Sequence, residues 1–338
     1  MDVTNLVINN LTITKKDNKS KYLIKLINNI IENPIIYQSI FNKNISFKFD
    51  EIIENKSIPN SFYSSSSTII RHPHFDDKYI LNIRCVNYYI NTNGNSSIND
   101  NKIVFTHNIV IILDKYFHII SKTKTMPQNI NSKYIGIEDI RLFNFKNKIY
   151  YIGSSFDKTT NKIRITSNEY VLENNYNLNF ITPTFKTNFN WEKNWVFFEN
   201  NDDMFIIYKW YPLSICKINY NNNNLDLIKT INVPQEFKNF RGSTNGVLFD
   251  NKIWFIVHSQ IQINNKKHYY HYFVVFNNNL SIYGYSKMFK FENYIVEYSI
   301  GMEVTYNNNF VITYSTLDST TKLLVLLPDY INELLIYK

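Results

Sequence analysis

A short polar turn followed by a strand of alternating apolar residues occurs five times in this chain, and no other feature limits the possible folds as strongly. The five copies occupy residues 76–84, 146–154, 202–210, 250–258 and 308–315. Their starts are separated by 70, 56, 48 and 58 residues. Units of about 50 residues that each contain several short strands are typical of propeller blades. The sequence therefore predicts an all-β fold, a five-bladed β-propeller.

Each copy ends its strand on a polar residue, and the five residues are Arg84, Ser154, Lys209, His258 and Ser315. Equivalent strands of a propeller surround one axis, so these polar ends are expected to converge at one mouth of the central channel. A small polar ligand would bind there. A β-sandwich with similar hairpins is the alternative, and it would not bring five separate strand ends together.

The 338 residues, 44% of them hydrophobic, are enough for one large all-β domain or for two ordinary ones. We expect the propeller to occupy residues 59–330 as the catalytic domain. Residues 1–58 are expected to form an N-terminal arm with one packing helix, because apolar residues recur at helical spacing over 21–32 and Asn33-Pro34 follows. The Ser-rich residues 61–68 are interpreted as a flexible loop, and residues 331–338 as a C-terminal tail.

Charge and composition narrow the classes of partner. The net charge of +8 suits an anionic small ligand such as phosphate or a sugar nucleotide. No segment interleaves basic and aromatic residues as nucleic-acid-binding modules do, so no nucleic-acid partner is expected. Cys85 and Cys216 lie in apolar runs without zinc spacing, so neither a metal site nor a disulfide is expected. Without a long apolar run or a signal peptide, the chain is expected to be cytoplasmic with no membrane span, and a homo-oligomer is left open.

The hexapeptide 136–141, Gly-Ile-Glu-Asp-Ile-Arg, places two carboxylates and a guanidinium at the start of a predicted strand. Because side chains alternate along a strand, Asp139 and Arg141 are expected on one face and Glu138 on the other. An acid beside a permanent cation can hold a proton donor next to an anion site. A surface ion pair at a strand end is the alternative interpretation.

Four further stretches carry polar residues in apolar surroundings. They are 82–88, with Asn82 and Arg84 on one face; 191–195, Trp-Glu-Lys-Asn-Trp; 240–246, Phe-Arg-Gly-Ser-Thr-Asn-Gly; and the histidines His258, His268 and His271 of a predicted hairpin. The two glycines of 240–246 would let the backbone approach an anion closely. Each stretch alone is more often structural. Together their aromatic rings suit a sugar, and their cations suit phosphate.

These motifs, in this order, resemble those of glycoside hydrolase family 130, the β-mannoside phosphorylases, and of related mannosyltransferases. The family's Gly-x-Glu-Asp-Pro-Arg signature is matched by residues 136–141, and its Lys-Asn segment by Lys193 and Asn194. Its Gly-rich stretch, Tyr-His strand and closing Tyr-Tyr-Gly-x-x-Asp pattern are similar to residues 241–246, 257–258 and 313–318. The resemblance spans about residues 60–325, and it implies a five-bladed propeller.

The resemblance implies inverting transfer, or phosphorolysis, of a β-linked mannosyl-type sugar, with Asp139 as the general acid. Phosphate is itself a competent nucleophile, so a second catalytic carboxylate is not needed. Inorganic phosphate or a sugar phosphate would be the co-substrate, with no cofactor. The expected phosphate-binding residues are Arg141, Arg164, Lys193, Arg241 and His258. The residues expected to contact the carbohydrate substrate are Asn82, Arg84, Glu138, Asn194, Trp195, Ser243, Thr244, Asn245, His271, Glu297 and Asp318.

Two departures from the family pattern leave alternatives open. Ile140 stands in place of the signature proline, which would fix the backbone beside the acid, and Ser315 stands in place of a glycine. Either change is compatible with another acceptor, with a sugar-nucleotide donor, or with lost activity. The alternatives are therefore a glycosyltransferase on the same scaffold and a catalytically silent propeller that binds glycans.

Overall fold

A computed structural model describes residues 30–31, 33–45, 62–98, 103–125, 134–172, 181–184 and 191–337. These residues form five antiparallel sheets arranged as the blades of a propeller, together with a separate two-stranded hairpin. The prediction of an all-β, five-bladed propeller is confirmed. The expected N-terminal helix over 21–32 lies almost entirely outside the described residues.

The strands are numbered in chain order, and β1 spans Phe41–Ile45. Blade one contains β2 (Tyr63–His72), β3 (Phe75–Val86), β6 (Val104–Asp114) and β7 (Ile119–Thr125). The hairpin inserted between β3 and β6 contains β4 (Tyr88–Ile90) and β5 (Ser96–Ile98). A short strand, β8 (Tyr134–Ile135), pairs with β6 in parallel. Blade two contains β9 (Glu138–Phe145), β10 (Lys148–Asp157) and β11 (Lys162–Glu169).

Blade three contains β12 (Val196–Asn200), β13 (Asp203–Trp210), β14 (Leu213–Asn219) and β15 (Asn224–Ile231). Blade four contains β16 (Arg241–Gly242), β17 (Val247–Phe249), β18 (Lys252–Ile263), β19 (Lys266–Asn277) and β20 (Ile282–Ser286). Blade five contains β21 (Glu297–Val304), β22 (Phe310–Thr316) and β23 (Thr321–Leu326). The helices among the described residues are α1 (Pro328–Leu334), which precedes β24 (Leu335–Tyr337), and 3₁₀ turns at Ile35–Gln38 and Gln235–Asn239. No helix within the described ranges is long and apolar enough to cross a membrane.

Both ends of the described chain return to the propeller. β1 pairs with β23, from Phe41 opposite Val325 to Ile45 opposite Thr321, and becomes the fourth strand of blade five. β24 pairs with β20 and extends blade four. Ile331 of α1 is completely buried. The described parts of the expected arm and tail are therefore integrated into blades four and five.

The five sequence repeats fall on the second strands of the five blades, β3, β10, β13, β18 and β22. In blade one the polar residues Asp76 and Asp77 already belong to β3, whereas the other four repeats include residues that precede the strand. In blades two, three and four both turn residues have positive φ, and these residues are Lys146, Asn147, Asn201, Asp202, Asp250 and Asn251. This is the geometry of a type I′ turn, which suits the twist of the flanking strands and which Asn and Asp tolerate. The repeat in the sequence is therefore a repeat of second strands, and in blades two, three and four also of hairpin turns.

The hydrophobic core is divided among the five interfaces between neighbouring blades. Each buried cluster combines residues of two adjacent blades. Between blades two and three, for example, the rings of Phe143 and Phe197 stack with centroids 5.5 Å apart. A β-sandwich would instead have one core between two sheets, so this division excludes that alternative. Because both faces of a blade are covered, strands such as β18 have nearly continuous apolar runs.

The innermost strands of the blades are β2, β9, β12, β16–β17 and β21, which contact one another around the channel. Their N-terminal ends meet at one end of the channel, here called the front mouth. Ser66 of β2 contacts Asp139 of β9, and Tyr298 of β21 contacts Asn194, which lies just before β12. The second strands run back towards the same end, so the end of β3 also lies at the front mouth.

Gly246→Ala is expected to destabilise the junction between blades three and four. An added Cβ would lie 2.6 Å from Cβ of Phe198 and 2.6 Å from Cζ of Phe255, and both phenylalanines are buried. Overpacking of this kind lowers the free energy of unfolding by roughly 1–3 kcal/mol. Urea titration followed by circular dichroism measures this loss.

The matched control is Leu248→Ala, because Leu248 is an exposed residue of β17 in the same segment. Its free energy of unfolding is expected to stay within about 0.5 kcal/mol of the parent value. Equal stabilities of the two variants would contradict the tight contact assigned to Gly246.

Candidate functional site

The two acids of residues 136–141 stand at a β-bulge where β9 begins. Glu138 is opposite Ser154 and Arg141 is opposite Ile152, so β9 has one residue more than β10 between these pairs. Asp139 accommodates the extra residue with a φ of +53°. This left-handed conformation is uncommon outside glycine and is found where the surrounding structure fixes a side chain in one direction.

The bulge makes the expected alternation of side chains wrong at this point. Glu138 and Asp139 both reach the guanidinium of Arg84, at 3.6 Å and 3.1 Å, although they are consecutive residues. The extra residue changes the phase of the strand, so the two acids share one neighbour. Arg84 comes from the end of β3 and is 5% exposed. A buried cation of blade one therefore holds two carboxylates of blade two.

Asp139 accepts two side-chain hydrogen bonds on the same oxygen. Ser66 Oγ donates to Oδ1 over 2.9 Å, and Arg84 Nη1 donates to it over 3.1 Å. Burial raises the pKa of Asp139, but the charge of Arg84, with smaller contributions from Arg141 and Lys193, outweighs burial and lowers the pKa overall. Asp139 is therefore ionised at neutral pH in the unliganded protein, and its Oδ2 is available for a ligand.

Glu138 is held on its other side by Lys193, which precedes blade three. Lys193 Nζ donates to Glu138 Oε2 over 2.8 Å. Burial raises the pKa of Glu138, but Lys193 and Arg84 outweigh burial and lower it. Lys193 thus pairs with an acid of blade two, whereas its sequence neighbour Glu192 accepts a hydrogen bond from Tyr208 at 3.2 Å.

Asp318, in the turn between β22 and β23, supplies a third carboxylate. Its Oδ1 accepts a hydrogen bond from Ser65 Oγ over 3.0 Å. The Tyr88 hydroxyl accepts from Arg84 Nη2 over 3.0 Å and lies 3.5 Å from Oδ2 of Asp318. Burial raises the pKa of Asp318 and outweighs the opposing charge of Arg84, and the negative charge of Asp139 adds to the rise.

The hairpin of β4 and β5 lies across the gap between blades one and five. Its backbone docks on blade five, where the N–H of Ile90 donates to the carbonyl of Leu317 over 2.8 Å. Tyr88 is on β4, so this docking places its hydroxyl between Arg84 and Asp318. The hairpin is therefore one wall of the front mouth.

Arg141 connects three blades beneath the front mouth. Its Nε donates to the carbonyl of Ser243 over 2.6 Å, and its Nη2 donates to the Tyr298 hydroxyl over 2.8 Å. Its Nη1 donates to the backbone carbonyl of Asp139 over 3.1 Å. The residue is 2% exposed. Arg141 therefore fixes the backbone of the bulge, and its expected contact with phosphate stays a prediction.

Three other expected ligands surround the same mouth. Asn194 accepts a hydrogen bond from the Tyr298 hydroxyl over 3.0 Å. His258 is buried with its Nδ1 2.8 Å from Ser243 Oγ, and burial lowers its pKa well below the usual range, so the imidazole is neutral. Arg241 begins β16 and is exposed. The structure thus places an amide, a neutral imidazole and an exposed guanidinium around the three carboxylates.

Three residues expected to contact the substrate are instead packed inside the propeller. Trp195 is 2% exposed and belongs to the core between blades two and three. Asn245 accepts from the N–H of Phe197 over 2.9 Å and donates to the carbonyl of Leu142 over 2.8 Å, so it joins three blades. Thr244 is completely buried. These residues are buried because both faces of a blade pack against neighbouring blades. Side chains near the axis therefore form contacts between blades.

Asn82 and Glu297 have hydrogen-bond partners within the fold, and Arg164 is on an outer strand. Asn82 is completely buried and donates to Asn108 over 3.1 Å. Glu297 accepts the backbone N–H groups of residues 291, 292 and 294 over 2.6 to 2.8 Å. Arg164 is on β11, two strands out from the channel, opposite Ser155. Direct contact of these residues with a ligand at the front mouth stays a prediction.

The glycines of residues 240–246 have a role that the sequence did not indicate. A Cβ on Gly242 would lie 2.4 Å from the carbonyl oxygen of Asn194, and one on Gly246 would lie 2.6 Å from Cβ of Phe198. Both glycines therefore permit the close approach of blade three to blade four. The glycines were expected to let the backbone approach an anion closely. In the structure they let it approach the neighbouring blade.

Four residues of the site were not indicated by sequence patterns: Ser65, Ser66, Tyr88 and Tyr298. The Ser-rich residues 61–68, interpreted as a flexible loop, lie largely within β2, whose serines are buried beside the channel. Small hydroxyl side chains suit an innermost strand that other strands approach closely. One sequence feature could have indicated a strand here: the run of serines continues through Thr68 into the apolar Ile69 and Ile70.

The opposite end of the channel contains a cavity of about 210 Å³. Its wall includes Glu303, whose carboxylate accepts hydrogen bonds from the backbone N–H groups of Arg71 and Val304. The carboxylate of Glu303 therefore has a structural role, because it accepts hydrogen bonds from the backbone. The front mouth is the better functional candidate because it combines three carboxylates with two cations from different blades.

Comparison with known proteins identifies the fold. The mannose phosphorylase MPT-4 from Leishmania mexicana, solved with a phosphate ion, matches 93% of this chain and 95% of its own, with a TM-score of 0.51 and 9% identity. The GDP-Man-dependent mannosyltransferase MPT-1 from the same organism matches 84% of this chain and 89% of its own, with a TM-score of 0.50 and 10% identity. No protein-family model and no curated protein sequence matches the chain. The chain shares the fold of these two enzymes, as the family resemblance implied.

His271→Phe is expected to stabilise the protein. His271 is completely buried beside Phe289 and Phe291, and neither ring nitrogen has a hydrogen-bond partner among the described residues. Burial lowers its pKa to about 3, below the unfolded value of 6.5, so the unfolded state takes up a proton first and the free energy of unfolding falls as the pH falls from 6.5 towards 3. The variant should gain roughly 1–3 kcal/mol in free energy of unfolding at neutral pH and lose less on acidification.

Urea titrations between about pH 4 and pH 8 would measure both effects. His74→Phe is the control, because His74 is exposed and its replacement should change stability little. A destabilised His271→Phe protein with an unchanged pH dependence would show that the imidazole has a favourable polar contact.

Proposed function

We propose that the front mouth is the active site of a carbohydrate-active enzyme that transfers a β-linked mannosyl-type sugar with inversion, to or from phosphate. One observation carries the proposal. Asp139 stands on a bulge with its side chain 16% exposed, fixed through Oδ1 by Ser66 and Arg84. An acid that is held rigidly, yet open to a ligand through its other oxygen, suits proton transfer to a substrate.

The ionised state of Asp139 suits the synthetic direction of the reaction. Asp139 would take the proton of the acceptor hydroxyl while that oxygen forms a bond to C1 of the sugar and the bond from C1 to the phosphate oxygen breaks. In the phosphorolytic direction, phosphate attacks C1 and protonated Asp139 returns the proton to the leaving oxygen. A bound phosphate would raise the pKa of Asp139 by charge repulsion, which favours the protonated form needed in that direction.

The phosphate site is proposed around Arg241, Lys193 and His258, with Arg141 and Arg164 as the other candidate cations. Arg241 is exposed and its Nη1 donates to Gln260 over 2.8 Å, so other N–H groups of its guanidinium remain for an anion. Neutral His258 would act as a hydrogen-bond partner without adding charge. Two observations support a mannosyl phosphate or a related donor. The net charge is +8, and the two enzymes that share this fold are a mannose phosphorylase and a GDP-Man-dependent mannosyltransferase.

The second candidate is binding of a glycan without turnover. Arg84 and Lys193 are paired with carboxylates, and Arg141 is bonded mainly to backbone carbonyls. A site whose cations are already used can bind neutral sugar hydroxyls without holding phosphate. A third arrangement, a sugar-nucleotide donor in place of a sugar phosphate, would use the same acid.

Asp139→Asn is expected to lower turnover by roughly 10²- to 10⁴-fold, because the amide cannot transfer the proton. The assay follows phosphate release from α-mannose 1-phosphate with mannose or short β-mannosides as acceptors, and the reverse reaction with phosphate. GDP-mannose is tested as the alternative donor. Calorimetry should show that the variant still binds the sugar.

Asp226→Asn is the matched control, because Asp226 is exposed on β15, the outermost strand of blade three. It should retain full activity. Turnover with GDP-mannose alone would favour the nucleotide-dependent transferase. Sugar binding without turnover by the parent protein would favour the glycan-binding propeller, and full activity of Asp139→Asn would refute the proposed role of the acid.

A further inference from the structure

Trp191 differs from the other tryptophans of the chain. Its side chain is 62% exposed, whereas Trp195, Trp210 and Trp254 are 2%, 4% and 1% exposed. Burying an indole removes a large apolar area from water, so a side chain left this exposed contributes much less to the stability of the fold than a buried one does. The position of Trp191 beside the candidate site makes its exposure informative.

The backbone at Trp191 is anchored to blade two. Trp191 forms a β-bridge with Ile163, and the N–H of the next residue, Glu192, donates to the carbonyl of Ile163 over 3.1 Å. The indole is therefore presented from a fixed backbone. A fixed aromatic ring loses little conformational entropy when it binds a ligand.

Lys193 connects the indole to the carboxylates. Its ammonium lies 5.8 Å from the centre of the Trp191 ring and 2.8 Å from Oε2 of Glu138. Glu138 is the residue before Asp139, and both carboxylates contact Arg84. One lysine side chain thus lies between the indole and the acids at which the glycosidic bond would form.

We propose that Trp191 is a platform for a sugar ring of the acceptor, next to the residue that receives the transferred sugar. A pyranose has one face of C–H groups, which packs on a flat aromatic ring, and a rim of hydroxyls, which Lys193 and Glu138 can bond. A protein partner would be expected to cover a broader apolar patch. The proposal rests on the proposed function, and it assigns the acceptor class: an oligosaccharide in preference to a monosaccharide.

The exposed indole supplies a direct test by fluorescence. The full-length protein is titrated with β-1,4-mannotriose and, separately, with mannose. The trisaccharide should change the tryptophan emission and protect it from acrylamide quenching, because Trp191 is the solvent-exposed indole. Trp191→Phe should lose this change while binding the trisaccharide with nearly the same affinity, because phenylalanine preserves an aromatic face.

Calorimetry supplies the second measurement. Trp191→Ala should bind the trisaccharide roughly tenfold more weakly, the effect of one lost stacking contact, with mannose binding unchanged. Tyr116→Ala is the matched control, because Tyr116 is 63% exposed in the turn between β6 and β7 of blade one. It should have no effect on either ligand.

The platform would be overturned by an unchanged trisaccharide affinity in Trp191→Ala, or by an unchanged emission response in Trp191→Phe. Neither measurement requires turnover, so the two proposals can fail separately. A Trp191-dependent response in a protein without turnover supports the platform and contradicts the enzyme. If turnover depends on Asp139 but the Trp191 variants show unchanged trisaccharide affinity and emission response, the enzyme is supported and the platform is contradicted.

Discussion

The contact of the Arg84 guanidinium with the acids of blade two is the interaction on which the front mouth depends. Arg84 reaches across from blade one and is 5% exposed, yet it contacts Asp139, Glu138 and Tyr88. Removing one member of a buried charge pair leaves the other uncompensated, typically at a cost of about 3–5 kcal/mol. Carboxylates from two blades can therefore meet here because this cation lies between them. The hydrogen bond from Arg141 to the carbonyl of Asp139 holds the bulge in position.

The opposite pKa shifts at this cluster follow from distance to that cation. Asp139 bonds Arg84 directly, so its pKa falls, whereas Asp318 meets Arg84 through the hydroxyl of Tyr88 and its pKa rises with burial. The two acids therefore differ because only Asp139 bonds the cation directly.

The sequence predicted the propeller because its signal is local: the hairpin turns at Asn201-Asp202 and Asp250-Asn251 need Asn and Asp for their positive φ. It did not predict the bulge at Asp139, since the extra residue shows only in pairing with a distant strand. Trp195 and Asn245 lie in motifs that resemble those of a ligand site. In the structure Trp195 packs in the core and Asn245 is hydrogen-bonded to a neighbouring blade. A short motif specifies residue type and order, while the blade on each side decides which way a side chain points.

The most direct test is a crystal structure of Asp139→Asn soaked with β-1,4-mannotriose and phosphate. The first sugar ring is predicted within hydrogen-bond distance of residue 139, the middle ring next to it, and the third ring against the Trp191 indole. Phosphate is predicted on the opposite face of the first ring, near Arg241. Sugar bound at the opposite end of the channel, or on the outer surface of a blade, would contradict the assignment of the front mouth as the active site.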